Sequence, residues 1–263
     1  MSTVTAGDAA ALDTPAAPRQ DTPAGDPDVA LRQVEQRVLW LASAIVDHAN
    51  RVRPNPSGLK VGGHQASSAS IVTLMTAIWL EQLGPEDRVS VKPHASPVLH
   101  ALEYLLGQLP ASALTTLREF GGLQSYPSRL KDPVPADYST GSVGIGATAP
   151  IWGAIARRYV NTQFGTGGAG RQWSLVGDAE LDEGSNHEAL ELAPALGLSG
   201  LTVVVIDNHS SSYAVRGRIE RRFRTEGWHA VTVDGRDHGA LEAALRHRDP
   251  ARPTAVVATV EEK

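Results

Sequence analysis

An α/β fold, a parallel sheet with helices on both faces, is what this sequence predicts, and three observations carry the prediction. The chain has 263 residues and 41% hydrophobic side chains, enough to bury one large core. From residue 173 onward, short runs rich in Val alternate with segments of helical periodicity. Strands joined through helices run parallel, and a parallel sheet needs cover on both sides.

Residues 1–28 are mainly Ala, Thr, Pro, Asp and Gly, with almost no large apolar side chain. Such a segment buries too little surface to offset its ordering entropy, so a disordered tail is expected, leaving one domain over 29–263. Over 29–50, Leu31, Val34, Val38, Leu41 and Ile45 recur at helical spacing. Residues 51–63, with Pro54, Pro56 and three glycines, read as a loop. A helix over 67–82 carries Ile71, Leu74, Met75, Ile78 and Trp79. Residues 88–92 read as a strand, and His94 sits in a turn leading to a helix over 98–106. The stretch 123–142 is irregular, and irregular segments of that length usually serve function. A helix over 145–160 follows. The order then runs strand 173–176, helix 183–196, strand 201–206, helix 219–226, strand 230–233, helix 238–246, strand 254–260, with no internal repeat.

Composition excludes several classes of function. The net charge of −5, with both signs interspersed, argues against nucleic acid or an anionic membrane surface as a main partner. The absence of cysteine removes disulfides, thiolate metal sites and Cys nucleophiles, and a reducing cytoplasm is the natural setting. The longest apolar run, 71–80, is too short to span a bilayer, and the N-terminus has neither the basic nor the apolar part of a secretory signal.

In parallel sheets of this type ligands bind at the carboxyl ends of the strands. Two predicted strand ends carry suitable groups: Gly177-Asp178-Ala179-Glu180, and Asp207-Asn208-His209-Ser210. Thirty positions separate Asp178 from Asn208, about one strand–helix–strand unit, which brings the two side chains to neighbouring tips. A carboxylate, an amide oxygen and a backbone carbonyl are hard ligands that suit Mg²⁺ or Ca²⁺ completing its shell with phosphate oxygens. A helix starting near Glu183 would aim its N-terminal amides at the same anion. Taken singly, Gly-Asp and Asp-Asn are also ordinary turn chemistry; at this spacing the turn reading weakens.

At this point the sequence resembles a known family. Gly177-Asp178 followed by Asn208 is similar to the thiamine diphosphate fingerprint, and GDAELDEGSNHEAL resembles transketolases and the homodimeric type of bacterial pyruvate dehydrogenase decarboxylating component. GGHQASSAS around His64, KPHASPVLHALEYL around His94, SYPS at Tyr126, STGSVGIG at Gly141 and EGWHAVTVDGRD at 226–237 occur in the family's order. The likeness implies a thiamine diphosphate-binding fold like the transketolase N-terminal domain. It also implies a divalent metal on Asp178, Asn208 and the Ser210 carbonyl. Gly177, Ala179 and Glu180 would line the diphosphate, with Gly141, Ser142 and Val143 packed beside the cofactor. His64 and His94 match active-site histidines of the family. Charge that builds on a substrate carbonyl oxygen calls for a proton donor near neutrality, a task that suits imidazole; for His64 the alternative is helix capping. Glu183 matches a family glutamate behind the metal and near a subunit interface, or else complements the helix N-terminus.

The sequence also departs from the pattern. Ala179 replaces a glycine, and its methyl group would crowd the diphosphate. The loop at Tyr126–Ser128 lacks a histidine that relatives place there, for which Tyr126 or Ser128 would substitute. No segment matches the pyrimidine-binding domain, which implies a second subunit carrying it, in an α₂β₂ heterotetramer with the cofactor at the interface. Expected substrates are a ketose or ketoacid, in a ketol transfer. The alternatives are oxidative decarboxylation with transfer to a lipoyl or acyl-carrier protein thiol, and a non-catalytic scaffold. The five arginines of 216–224 read as a solvated helix face or as a docking surface for a phosphorylated substrate or acidic carrier.

Overall fold

The structure, a computed structural model, describes residues 27–166, 168–212 and 217–260. Five parallel strands form one sheet in the order β1-β2-β3-β5-β4: β1 (Arg88–Ser90), β2 (Gln172–Gly177), β3 (Leu201–Asp207), β4 (His229–Asp234) and β5 (Thr254–Thr259). The chain steps from β1 to β3 one place at a time, skips a place to β4 at the edge, and returns to insert β5.

Side chains alternate along each strand, so the sheet has two apolar faces. Leu175, Val204, Ile206 and Val256 point to one face. That face is covered by α1 (Pro27–Asp47), α3 (Val72–Ala77), α4 (Ser96–Leu105) and α8 (His238–Arg246). Val176, Val203, Val205 and Val257 point to the other, beneath α5 (Ile145–Phe164), α6 (Gly184–Ala195) and α7 (Arg218–Thr225). A third cluster, including Ile45, Leu109, Leu117 and Leu123, lies under the loops that flank α4. The predicted tail falls outside the described residues except for Pro27 and Asp28, which open α1.

The region predicted as one helix over 67–82 is broken. α2 (Gln65–Ala69) ends where the Ser70 hydroxyl bonds the Ser67 carbonyl, a side-chain competitor for helical geometry. α3 then begins, and it closes in a wider π-helical turn, Ile78–Gln82. The strand predicted over 88–92 pairs only through Ser90, because the Val91 carbonyl accepts from the Thr140 hydroxyl instead of a neighbouring strand.

Two helices carry an internal proline, and both use the missing amide in the same way. A proline leaves the carbonyl four residues earlier without its helical donor. For Pro150 in α5 that carbonyl is Gly146, taken by the Ser174 hydroxyl of β2 at 2.8 Å. For Pro194 in α6 it is Leu190, taken by the Trp228 indole N–H at 2.9 Å. The prolines thus tie helices to the sheet and to the turn before β4.

Candidate functional site

The carboxyl ends of β1, β2 and β3 lie side by side, and every candidate residue from Asp178 to Ser210 belongs to segments leaving those tips. After β2 the chain enters a 3-10 turn, Asp178–Asp182, before α6 begins at Gly184. α6 thus starts next to Glu183, its N-cap residue, where the sequence places it, and the 3-10 turn adds a short helical segment between the β2 tip and that helix.

Asp178 is 1% exposed. One of its oxygens accepts from the Ser211 amide at 2.9 Å, while Oδ1 is buried with no hydrogen-bond partner among the described residues. The segment after β3 folds back onto the 3-10 turn. The Ser211 hydroxyl donates to Asp182 at 2.7 Å, and the Ser212 amide donates to the same carboxylate at 3.2 Å. Asn208 is buried beside this crossing, and its Oδ1 accepts from the exposed Ser210 hydroxyl at 2.5 Å. Asp178 and the Asn208 loop are thus brought together, as the thirty-residue spacing predicts.

Glu180 faces inward. Its carboxylate accepts from the Gly177 amide at 3.0 Å and the Gly144 amide at 3.5 Å, so it links the β2 tip to the start of α5. Burial pushes its pKa up, against the pull of the Gly177 amide, the Lys92 charge and the Gly144 amide. Gly141, Ser142 and Val143 are exposed on the far side of this link. Gly144 has φ 85°, and a Cβ there would lie 2.8 Å from the Glu183 Cβ, so that turn requires glycine. Glu183 is exposed at the head of α6 and makes no capping bond with its side chain. Ala179 is exposed too, with its methyl on the open side of the turn.

At the β1 tip, His94 adopts a left-handed backbone with φ 64°, a conformation costing about 1–2 kcal/mol for a residue with a Cβ. Neighbours hold it there: its amide donates to the Ser125 carbonyl at 3.2 Å and its carbonyl accepts from the Ser68 hydroxyl at 3.1 Å. The His64 ring meets the His94 ring edge-on at 4.5 Å, and His64 makes no side-chain cap to α2. The Tyr126 ring stands 5.0 Å from His94 on another side. Ser128 instead turns its hydroxyl onto the Leu130 and Lys131 amides of its own loop. Of the two residues expected to substitute for the absent loop histidine, Tyr126 has its ring against His94, and Ser128 has its hydroxyl bonded within its own loop.

Three residues were not legible as site residues. Lys92, buried at the β1 tip, donates to the Ser67 hydroxyl at 2.8 Å and brings its charge near Glu180. Arg118 spans two loops: it donates to the Val61 carbonyl at 2.7 Å and to the Ser125 hydroxyl, and lies over the Tyr126 ring. His100 is the third. Lys92 stands inside a motif that singled out only its histidine, whereas nothing local marks Arg118. In the basic stretch, Arg222 pairs with Glu226 and Arg224 with Glu220 along α7, while Ile219 and Phe223 are buried. Arg216 lies outside the described residues. No described helix is long and apolar enough to cross a membrane.

An open carboxylate oxygen at the β2 tip, the Asn208 loop at the β3 tip and a histidine pair at the β1 tip place polar groups along the carboxyl edge of a parallel sheet, the edge where α/β domains of this class take their ligands. The comparisons give that class its family: the profile of the transketolase thiamine diphosphate-binding domain matches residues 63–260, and the chain belongs to this family. Ferredoxin fas2 of Rhodococcoides fascians is 41% identical over 124 residues, covering 47% of this chain and 39% of that protein. The pyruvate dehydrogenase E1 component of Mycobacterium tuberculosis is 31% identical over 243 residues, covering 84% of this chain and 25% of its own length. Transketolase from Leishmania mexicana shares the fold, with a TM-score of 0.75 at 23% identity over 87% of this chain and 36% of that one. The chain thus spans between a quarter and two fifths of the proteins it matches.

Proposed function

We propose that this chain is the diphosphate- and metal-binding part of a thiamine diphosphate-dependent enzyme of transketolase type, transferring a two-carbon ketol or acyl unit. The observation that carries the reading is Asp178 Oδ1. A buried carboxylate oxygen without a partner costs about 1–3 kcal/mol or more, a cost that a cation would remove. Among the described residues no three histidines and carboxylates cluster as a metal site. A cation here relies on Asp178, the Asn208 amide oxygen and the Ser210 carbonyl, a hard oxygen set suited to Mg²⁺ or Ca²⁺ with phosphate completing the shell. These residues fit the group the family binds.

When bound, thiamine diphosphate supplies a carbon nucleophile that adds to substrate carbonyls. The chain's own residues do the rest. Asp178 and Asn208 would hold the metal, and Glu180 fixes the Gly177 and Gly144 turns by accepting from both amides. His64 and His94 stand ready to give and take the proton at the substrate oxygen, with Tyr126 confining the His94 ring. The cavity beside His64 is also lined by Lys60 and by Arg51, the latter paired with Asp47 at 2.7 Å, which leaves a net positive charge where a carboxylate or phosphate of a substrate would enter.

The pyrimidine-binding part is supplied, in this reading, by a second subunit in an α₂β₂ heterotetramer. Support comes from α5, where Ile145, Trp152, Tyr159 and Val160 are 41–62% exposed. They form a stripe at helical spacing that begins beside Val143 and Glu183, and apolar surface of this kind marks association sites. The lack of cysteine suits a cytoplasmic setting.

Oxidative decarboxylation of a 2-oxo acid is the second reading, favoured by the 84% coverage in the pyruvate dehydrogenase component. A donor screen on the complex co-produced with its partner separates the two. Turnover of sugar phosphates without carbon dioxide supports ketol transfer, and pyruvate-dependent carbon dioxide release supports decarboxylation. A folded complex that neither binds thiamine diphosphate with Mg²⁺ nor turns over any donor overturns both.

A further inference from the structure

His100, on α4 and six residues beyond His94, is fully buried, and both its ring nitrogens face acceptors. Nδ1 lies 3.1 Å from the Glu103 carboxylate, and Nε2 lies 3.1 Å from the Gln124 carbonyl and 3.7 Å from Asp132. A carbonyl only accepts, so Nε2 carries a hydrogen; burial pushes the Glu103 pKa up against the pull of His100, and the ionised Glu103 opposite Nδ1 calls for a second. The charged groups that face the ring are Glu103 from α4 and Asp132 from the loop, both acidic. We propose that His100 is a positioning residue, a buried imidazolium that locks the 123–132 loop against α4 and thereby fixes His94 and Tyr126.

The connection runs through three consecutive residues. Gln124 gives its carbonyl to His100 and its amide to Asp132 at 2.8 Å. Ser125 gives its carbonyl to the His94 amide, which sits in strained backbone. Tyr126 lays its ring beside the His94 imidazole. Asp132 also accepts the Ser128 amide at 2.7 Å, closing the loop on itself. Without the cation, Glu103 and Asp132 would be two buried acidic groups with nothing between them to balance their charge.

Burial opposes the charge on His100. The Glu103 hydrogen bond and the charges of Glu103 and Asp132 outweigh it, and the net shift is upward from the ordinary value. A raised value means that the clamp is complete below about pH 6.5, the ordinary imidazole pKa, and is lost as pH rises through the folded value. The link to turnover rests on the proposed role of His94; the clamp itself does not.

The test uses the full chain, labelled with ¹⁵N. Expected are two protonated His100 ring nitrogens at pH 6. Protection of the Gln124 and Ser128 amides, corrected for intrinsic exchange, should fall by up to about tenfold per pH unit between about pH 6.5 and the raised folded value, and level off above it. In His100→Gln that pH dependence flattens and the Tyr126–His94 cross-ring contact weakens, whereas a purely structural side chain would leave protection independent of pH. A neutral His100 ring at pH 6, or pH-independent protection in the unaltered chain, overturns the proposal, as does an unchanged Tyr126–His94 contact in folded His100→Gln. These readouts need neither cofactor nor substrate, so they stand or fall separately from the donor screen.

Discussion

Two buried aspartates at opposite ends of one strand pair show how differently the two edges of the sheet are built. Asp87, at the amino end, is saturated: it accepts from the Trp173 indole at 2.9 Å, the Arg171 amide at 2.7 Å and the Gly84 amide at 3.3 Å, and pairs with the Arg171 guanidinium. That guanidinium stacks on Trp173, and burial, with the Arg248 charge, lowers its pKa to about 10 against the pull of Asp87. Asp178, at the carboxyl end, is the more deeply buried of the two, at 1% exposed, yet keeps one oxygen open. One carboxylate has its oxygens fully engaged within the fold, and the other leaves an oxygen without a partner among the described residues, the feature on which the proposed metal site rests. The amino edge fastens the fold; the carboxyl edge carries the groups of the proposed site.

The sharpest way to break this contrast is to compare stabilities. Asp87→Ala strands a buried guanidinium and should destabilise the chain by about 3–5 kcal/mol in urea denaturation; a loss below about 1 kcal/mol would show that Asp87 is not the fastening. Next in size is the stripe on α5. Trp152→Glu should weaken partner association by about 2 kcal/mol or more, read by sedimentation of the mixed subunits, with the melting temperature of the isolated chain unchanged. Unaltered association would move the interface elsewhere. Ser174→Ala leaves the Gly146 carbonyl without its donor and should cost about 1 kcal/mol. In a Pro150→Ala background, where a backbone amide returns to that carbonyl, the cost should shrink, and full additivity would contradict the proline account. Smallest is the stability effect of Asp178→Ala: it removes an unpaired buried charge along with one bond from Ser211, and the chain should stay within about 1 kcal/mol of the parent.

Much of this was legible in the sequence because it depends on short-range pattern. Val-rich runs alternating with helical periodicity place all five strands within a few residues of their observed ends, since a buried parallel strand has little freedom in composition. The pairing of Asp178 with the Asn208 loop follows from the length of one strand–helix–strand unit. The breaks at Ser70 and in the π-helical turns were hidden, because they depend on single side-chain bonds and tertiary packing that periodicity does not encode. Tyr126 was one of two candidates until the fold showed Ser128 bonded within its own loop. Arg118 was not singled out, and His100 read as a surface or packing histidine, for a related reason. Arg118 reaches Val61, 57 residues away, and His100, although it stands in the motif around His94 and meets Glu103 one turn on, owes its second contact to Gln124, 24 residues away.

The claim on which the account turns is that the open oxygen of Asp178 receives a divalent cation. Mn²⁺, a hard-ligand stand-in for Mg²⁺, can be titrated in the presence of thiamine diphosphate into the reconstituted complex and followed by electron paramagnetic resonance. Saturable, cofactor-dependent binding that disappears in Asp178→Ala, with the complex still assembled, is the predicted result. Equal Mn²⁺ affinity in the parent and the variant would contradict it.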